Sequence, residues 1–132
     1  MIGIVVVTHG QLAAELVKAT RTIVGEIPAI SGVSIGWEDD MSVTSAAIER
    51  AVKEVGGSGV LILTDMFGGT PTNVSLPFLS DGVEIVTGVN LPMLIKASGL
   101  RDGRLPEVAR EVRDQGKSAI YVASDILEKK PE

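Results

Sequence analysis

The stretch GVLILT, residues 59–64, is an apolar run that stops at the acidic residue Asp65. A strand that is apolar on both sides of its pleat is typical of a parallel sheet whose two faces are both covered. Three further stretches predict strands, at residues 2–7 (IGIVVV), 33–37 (VSIGW) and 83–88 (VEIVTG). We therefore expect four strands in a mainly parallel sheet.

Segments with helical periodicity separate these strands. The predicted helices lie at residues 11–24, 42–55, within 68–79, near 92–98, and along the apolar stripe of Leu105, Val108, Ala109 and Val112. Because crossover connections between parallel strands are right-handed, such helices cover both faces of the sheet. The sequence thus predicts a doubly wound α/β fold with the flavodoxin-like strand order 2-1-3-4. The stretch SAIYVA, 118–123, is expected to add a C-terminal edge strand.

Composition excludes several classes of function. The 132 residues fit one domain, 1–132, and they contain no cysteine and one histidine, which rules out disulfides and argues against a structural zinc site. A net charge of -5 with scattered Lys and Arg argues against nucleic acid and anionic membranes as partners. The amino end lacks a basic region before its short apolar run, so we expect neither a signal peptide nor a membrane span, and a cytoplasmic protein.

The histidine of the chain, His9, follows the first strand, just as Asp65 follows the third. In the order 2-1-3-4 these two strands are neighbours, about 4.8 Å apart, and the carboxyl ends of parallel strands form the usual ligand-binding edge. We expect Asp65 to accept a hydrogen bond from one ring nitrogen and so to leave the other nitrogen nucleophilic. Each residue alone would more often be an ordinary strand-end side chain, and the prediction rests on their juxtaposition.

The segment DMFGGTPTN, residues 65–73, predicts an anion site at the same edge. Gly68 and Gly69 permit close backbone approach, Thr70 is expected to be the N-cap of the following helix, and Pro71 suits its first position. The amino end of that helix would then favour an anion near His9. Histidine, carboxylate and anion cradle together indicate a phosphoryl group carried on an imidazole nitrogen, with no metal or other cofactor required.

Three motifs, GIVVVTHG, LILTDMFGGTPTN and GVNLPMLIK, occur in this order along nearly the whole chain. In this combination the chain resembles the mannose-family IIA components of the bacterial phosphoenolpyruvate-dependent sugar phosphotransferase system. The resemblance implies that His9 takes a phosphoryl group from the phosphocarrier protein HPr and passes it to a IIB component. It further implies that Asp65 orients the ring, that Gly68, Gly69 and Thr70 hold the phosphoryl group, and that Asn73, Asn90 and Pro92 form the rim of the site.

The same resemblance predicts a homodimer, and peripheral association with the membrane subunits IIC and IID. Many family members continue through a linker into IIB, whereas this sequence ends in EKKPE, 128–132, which predicts a stand-alone IIA domain. Met66 and Thr72 receive no role.

Other functions of a histidine or carboxylate at this edge fit the sequence less well. A histidine phosphatase has RHG after the first strand and a second histidine, whereas here Thr8 precedes the lone His9. A receiver domain phosphorylated on Asp65 would need acidic metal ligands after the first strand. The sequence leaves open a regulatory module whose His9 phosphorylation signals to a partner without sugar transport, and it does not specify the sugar.

Overall fold

The fold of the protein, given by a computed structural model that describes residues 1–127, is built on one four-stranded sheet. The strands are β1 (Ile2–His9), β2 (Ile30–Ile35), β3 (Gly59–Thr64) and β4 (Val83–Val86). All pairings are parallel and the order is β2-β1-β3-β4, which confirms the predicted strand order. The sequence EKKPE, at which the predicted domain ends, lies outside the described residues.

The described part of the chain has six α-helices: α1 (Leu12–Val24), α2 (Met41–Val55), α3 (Thr70–Ser75), α4 (Leu91–Ser98), α5 (Leu105–Ser118) and α6 (Ala123–Leu127). Helices α1, α4 and α5 pack on one face, where Val17, Leu94 and Val112 meet β1 and β3 side chains. Helices α2 and α3 cover the other face through Ile48 and Val74. The predicted arrangement of helices on both faces is therefore confirmed.

The buried guanidinium of Arg101 ties the amino end of β1 to the loops around it. Its nitrogens donate to the carbonyl oxygens of Ile2 at 2.7 Å, Pro28 at 2.6 Å and Ala29 at 2.8 Å. Burial lowers the pKa of Arg101, although the nearby Asp102 opposes that effect. Three charge-assisted hydrogen bonds satisfy the buried group and fix the end of the sheet that lies away from His9.

The predicted C-terminal strand at 118–123 is wrong for this chain. Helix α5 continues through Gly116 to Ser118, residues 119–122 have no regular structure, and α6 follows. Gly116 is a packing residue, because a Cβ atom there would come within 2.6 Å of the Met93 sulfur. The close contact between α4 and α5 thus favours helix up to Ser118, and residues 119–122 do not pair with the open edge of β2 or β4.

No helix among residues 1–127 is long and apolar enough to cross a membrane.

Candidate functional site

The turn after β1 holds His9 at the carboxyl edge of the sheet. His9 is in register with Ile35 of β2, and the N–H of Gly10 donates to the Ile35 carbonyl at 2.8 Å. The buried Thr8 hydroxyl accepts a hydrogen bond from the N–H of Ala13 at 2.6 Å, which joins the end of β1 to the first turn of α1. The His9 side chain is 32% exposed, so its ring is anchored and still accessible from solvent.

The carboxylate of Asp65 holds His9 through two hydrogen bonds. Its Oδ2 lies 2.7 Å from the ring nitrogen Nδ1 and accepts from the backbone N–H of His9 at 2.9 Å. Its Oδ1 accepts from the N–H of Met66 at 3.0 Å. An ionised Asp65 accepts only, so Nδ1 carries the hydrogen and Nε2 presents its lone pair.

Two opposing effects set the charge of this carboxyl. Burial by itself raises the pKa of Asp65, but the hydrogen bonds from His9, the charge of its ring when protonated and the N–H of Met66 outweigh burial. The net pKa of Asp65 lies below its ordinary value, so the group is ionised at neutral pH.

Thr72, for which the sequence predicts no role, organises the loop between β3 and α3. Its buried hydroxyl lies 2.7 Å from the Thr64 hydroxyl and donates to the Met66 carbonyl at 2.6 Å. Asn73 adds two bonds to the loop, from its backbone N–H to Gly69 O at 3.0 Å and from its side chain to Gly68 O at 3.4 Å. One feature of the sequence indicates that such a contact exists. Thr64 ends a buried strand, and its hydroxyl group needs a polar partner there.

Gly69 brings the loop against the Cε1–Nε2 side of the His9 ring. A Cβ atom at this position would lie 3.0 Å from His9 Cε1 and 3.6 Å from Nε2. Gly69 is also the N-cap of α3 in extended conformation, so the expectation that Thr70 is the cap is wrong. Thr70 is instead the first helical residue and is exposed, with Pro71 second.

Substitution of Gly69 by alanine tests the importance of this close approach. The extended backbone at Gly69 (φ -84°, ψ 168°) suits alanine, so we expect the fold to be retained. The added methyl group displaces the ring by a few tenths of an ångström, and a displacement of about 1 Å costs about 10²-fold in rate. We expect the phosphorylation of His9 that the sequence predicts to slow about tenfold in Gly69→Ala. Labelling with phospho-HPr, quenched at a series of times, measures the rate. Gly82→Ala, a change in an open turn, is the control. A transfer rate unchanged in a folded Gly69→Ala protein would contradict the close approach.

The predicted rim residues Asn90 and Pro92 lie at the start of α4. The Asn90 side chain caps this helix by accepting from the N–H of Met93 at 3.0 Å, and it donates to the carbonyl of Gly116 in α5 at 3.3 Å. Pro92 is the second residue of the helix and is half-buried. These contacts join α4 to α5, and the placement of Asn90 and Pro92 at the rim stays a prediction.

A family model described as "PTS system fructose IIA component" matches residues 3–112. The chain belongs to this family, the mannose-family IIA components. It is 27% identical over 133 residues to the fructose-specific EIIA component of Bacillus subtilis, covering 98% of this chain and 91% of that protein. It is 33% identical over 109 residues to the mannose-specific EIIAB component of Escherichia coli, covering 76% of this chain and 32% of that longer protein.

A solved structure extends the likeness of this IIA protein to the whole fold. The mannose/sorbose-specific IIA subunit from Enterococcus faecalis superposes with a TM-score of 0.85 at 32% identity, over 98% of this chain and 96% of the other. The family supports a role as a phosphoryl carrier of the sugar phosphotransferase system.

Proposed function

We propose that this IIA protein accepts a phosphoryl group from phospho-HPr on Nε2 of His9 and passes it to a IIB component during sugar uptake and phosphorylation. The observation that carries the proposal is the 2.7 Å contact between Nδ1 of His9 and Asp65. That contact fixes the tautomer in which Nε2 is the nucleophile. In this proposal the protein acts in the cytoplasm as a phosphotransferase with a phosphohistidine intermediate.

The transfer proceeds with the ring as nucleophile. The Nε2 lone pair forms a bond to phosphorus while the bond between phosphorus and its donor atom breaks, and the electron pair stays with the donor. Phosphoryl transfer passes through a loose transition state, so positioning and charge stabilisation supply most of the rate. Asp65 balances the positive charge that develops on the ring.

Gly68, Gly69 and Thr70 are proposed to hold the phosphoryl group. The approach of Gly69 to Nε2 supports this assignment, because a phosphoryl group on that nitrogen would lie beside the glycine backbone. Thr70 follows Gly69 directly and is exposed. Neutral donors suit a carrier, since a group bound too tightly could not be passed on. Asn73 supports the same loop through its bonds to Gly68 and Gly69.

The test is incorporation of labelled phosphate from phosphoenolpyruvate in the presence of enzyme I and HPr. We expect an acid-labile, base-stable phosphate on this protein, which a IIB component added afterwards removes. Mixtures that lack HPr serve as the control. Absence of label, while a known IIA protein is labelled in parallel, would remove the proposed function. Retention of the label after addition of IIB would remove the acceptor half alone.

We also propose a homodimer that associates through the β4 edge of the sheet. Three exposed apolar side chains, Ile120, Tyr121 and Val122, follow α5, and β4 lies at the sheet edge beside a groove of about 380 Å³. Unpaired edges and exposed apolar segments favour pairing with a second chain. Peripheral association with IIC and IID would follow from the same transport role.

Sedimentation velocity at micromolar concentration tests this assembly. We expect the mass of a dimer for the wild type and a shift toward monomer for Ile120→Asp, which places a charge in the proposed interface. Ser118→Asp, an exposed change at the end of α5, is the matched control. A clean monomer for the wild type would contradict the proposal.

A further inference from the structure

Trp37, the single tryptophan of the chain, lies beside the ring of His9. The two ring centroids are 5.9 Å apart, and the ring planes are inclined by 33°. The residue follows β2 and is 91% exposed. Burial of an indole removes a large apolar surface from water, and an indole that stays exposed contributes little of this stabilisation. Core packing therefore does not explain the position of Trp37.

Hydrogen bonds fix the turn that carries Trp37 at both of its ends. The N–H of Gly36 donates to Oδ2 of Asp39 at 2.7 Å, and Asp40 caps α2 by accepting from the N–H of Ser42 at 2.9 Å. A Cβ atom at Gly36 would approach Oδ1 of Asp39 to 2.9 Å, so the turn closes tightly around the glycine. The indole is thus presented from a hydrogen-bonded turn next to the nucleophile.

We propose that Trp37 stabilises the positively charged form of the His9 ring through a cation–π interaction. The phosphoryl part of this inference rests on the proposed function. When Nε2 bonds to phosphorus, Nδ1 keeps its hydrogen and the ring becomes positively charged. Asp65 lies 2.7 Å from Nδ1 and balances this charge there. The indole lies on another side of the ring, with 5.9 Å between the two ring centroids. Cation–π attraction acts to about 6 Å from the ring centroid and is strongest for tryptophan.

The first test measures the proton affinity of His9 in the unphosphorylated protein by NMR titration. Protonation creates the same ring charge without any donor protein. An exposed cation–π pair corresponds to about a two- to fivefold change in affinity, so we expect Trp37→Leu to lower the proton affinity by that factor. Trp37→Phe, which keeps a π face, should retain most of it.

Phe67→Leu is the matched control, because Phe67 is an exposed aromatic residue of the β3–α3 loop. We expect this variant to leave the proton affinity unchanged. Asp65, which is bonded to the ring, and the acidic residues of the Trp37 turn, Glu38, Asp39 and Asp40, are the same in all variants. Equal proton affinities for wild type and Trp37→Leu would overturn the proposal, and so would equal losses in the Leu and Phe variants of Trp37.

The second test measures the equilibrium constant for phosphoryl exchange with phospho-HPr. We expect Trp37→Leu to shift it toward phospho-HPr by about two- to fivefold, and Trp37→Phe to stay close to wild type. A residue that only contacts the docked partner changes the rates and leaves this constant unchanged. A slower rate with unchanged equilibrium and proton affinity would make Trp37 a docking residue and overturn the proposal. If phospho-HPr transfers nothing, the proposed function fails and the proton affinities alone decide the role of Trp37.

Discussion

Replacement of His9 by glutamine will reduce phosphate incorporation from phospho-HPr to background. The amide of glutamine has no nucleophilic nitrogen, and the chain has no second histidine to take over. Because the ring is 32% exposed and lies at the end of β1, its loss should leave the sheet and both hydrophobic cores intact. The effect is therefore expected in chemistry and not in folding.

The measurement is the amount of acid-labile label per chain after incubation with phosphoenolpyruvate, enzyme I and HPr. Circular dichroism and thermal unfolding of His9→Gln serve as the folding control. Glu107→Gln, an exposed change in the first turn of α5, which begins beside Gly59 at the amino end of β3, is expected to label like the wild type. Substantial acid-labile label on a folded His9→Gln protein would show that another residue carries the phosphoryl group.

Substitution of Asp65 by asparagine will slow phosphorylation of His9 by about 10- to 10³-fold. Asparagine lacks the charge that balances the ring, and its amide group can turn its NH₂ toward Nδ1 and favour the wrong tautomer. The analogous change in a Ser-His-Asp triad costs about 10⁴-fold. We expect a smaller loss, because in the proposed mechanism His9 is itself the nucleophile and does not have to activate another group.

Rapid-quench labelling with phospho-HPr measures this rate. Asp81→Asn, in the exposed turn before β4, removes the same charge at a distance from the site and should transfer at the wild-type rate. Asp65 also accepts the N–H groups of His9 and Met66, so thermal unfolding of Asp65→Asn must be compared with the wild type. A wild-type transfer rate in folded Asp65→Asn would remove the orienting role of this carboxylate.

The pairing of His9 with Asp65 could be predicted because it depends on the order of the strands in the sheet. That order follows from a simple pattern of apolar runs and helical segments. Apolar runs define β1 and β3, the α/β alternation makes them neighbouring parallel strands, and parallel strands end at one edge. The structure has this register, with Val7 opposite Thr64, so that the residues after them meet.

Other features could not be predicted because they depend on particular packing contacts. The strand predicted at 118–123 is absent because α5 continues through Gly116, which packs closely against Met93 of α4. Thr72 stabilises the site loop through a contact with Thr64 that no local pattern specifies. Trp37 stood in a predicted strand, yet β2 ends at Ile35 and the following turn carries the indole to His9.

The most direct test of the account is to determine which ring nitrogen of His9 carries phosphorus. Protein labelled with ¹⁵N in histidine and phosphorylated through HPr gives this assignment from two-dimensional ¹H–¹⁵N NMR spectra of the imidazole, because the nitrogen bonded to phosphorus couples to it. We predict phosphorus on Nε2, since Asp65 Oδ2 lies 2.7 Å from Nδ1 and occupies that side of the ring. Phosphorus on Nδ1, or an unmodified imidazole in a protein that has taken up phosphate, would contradict the account.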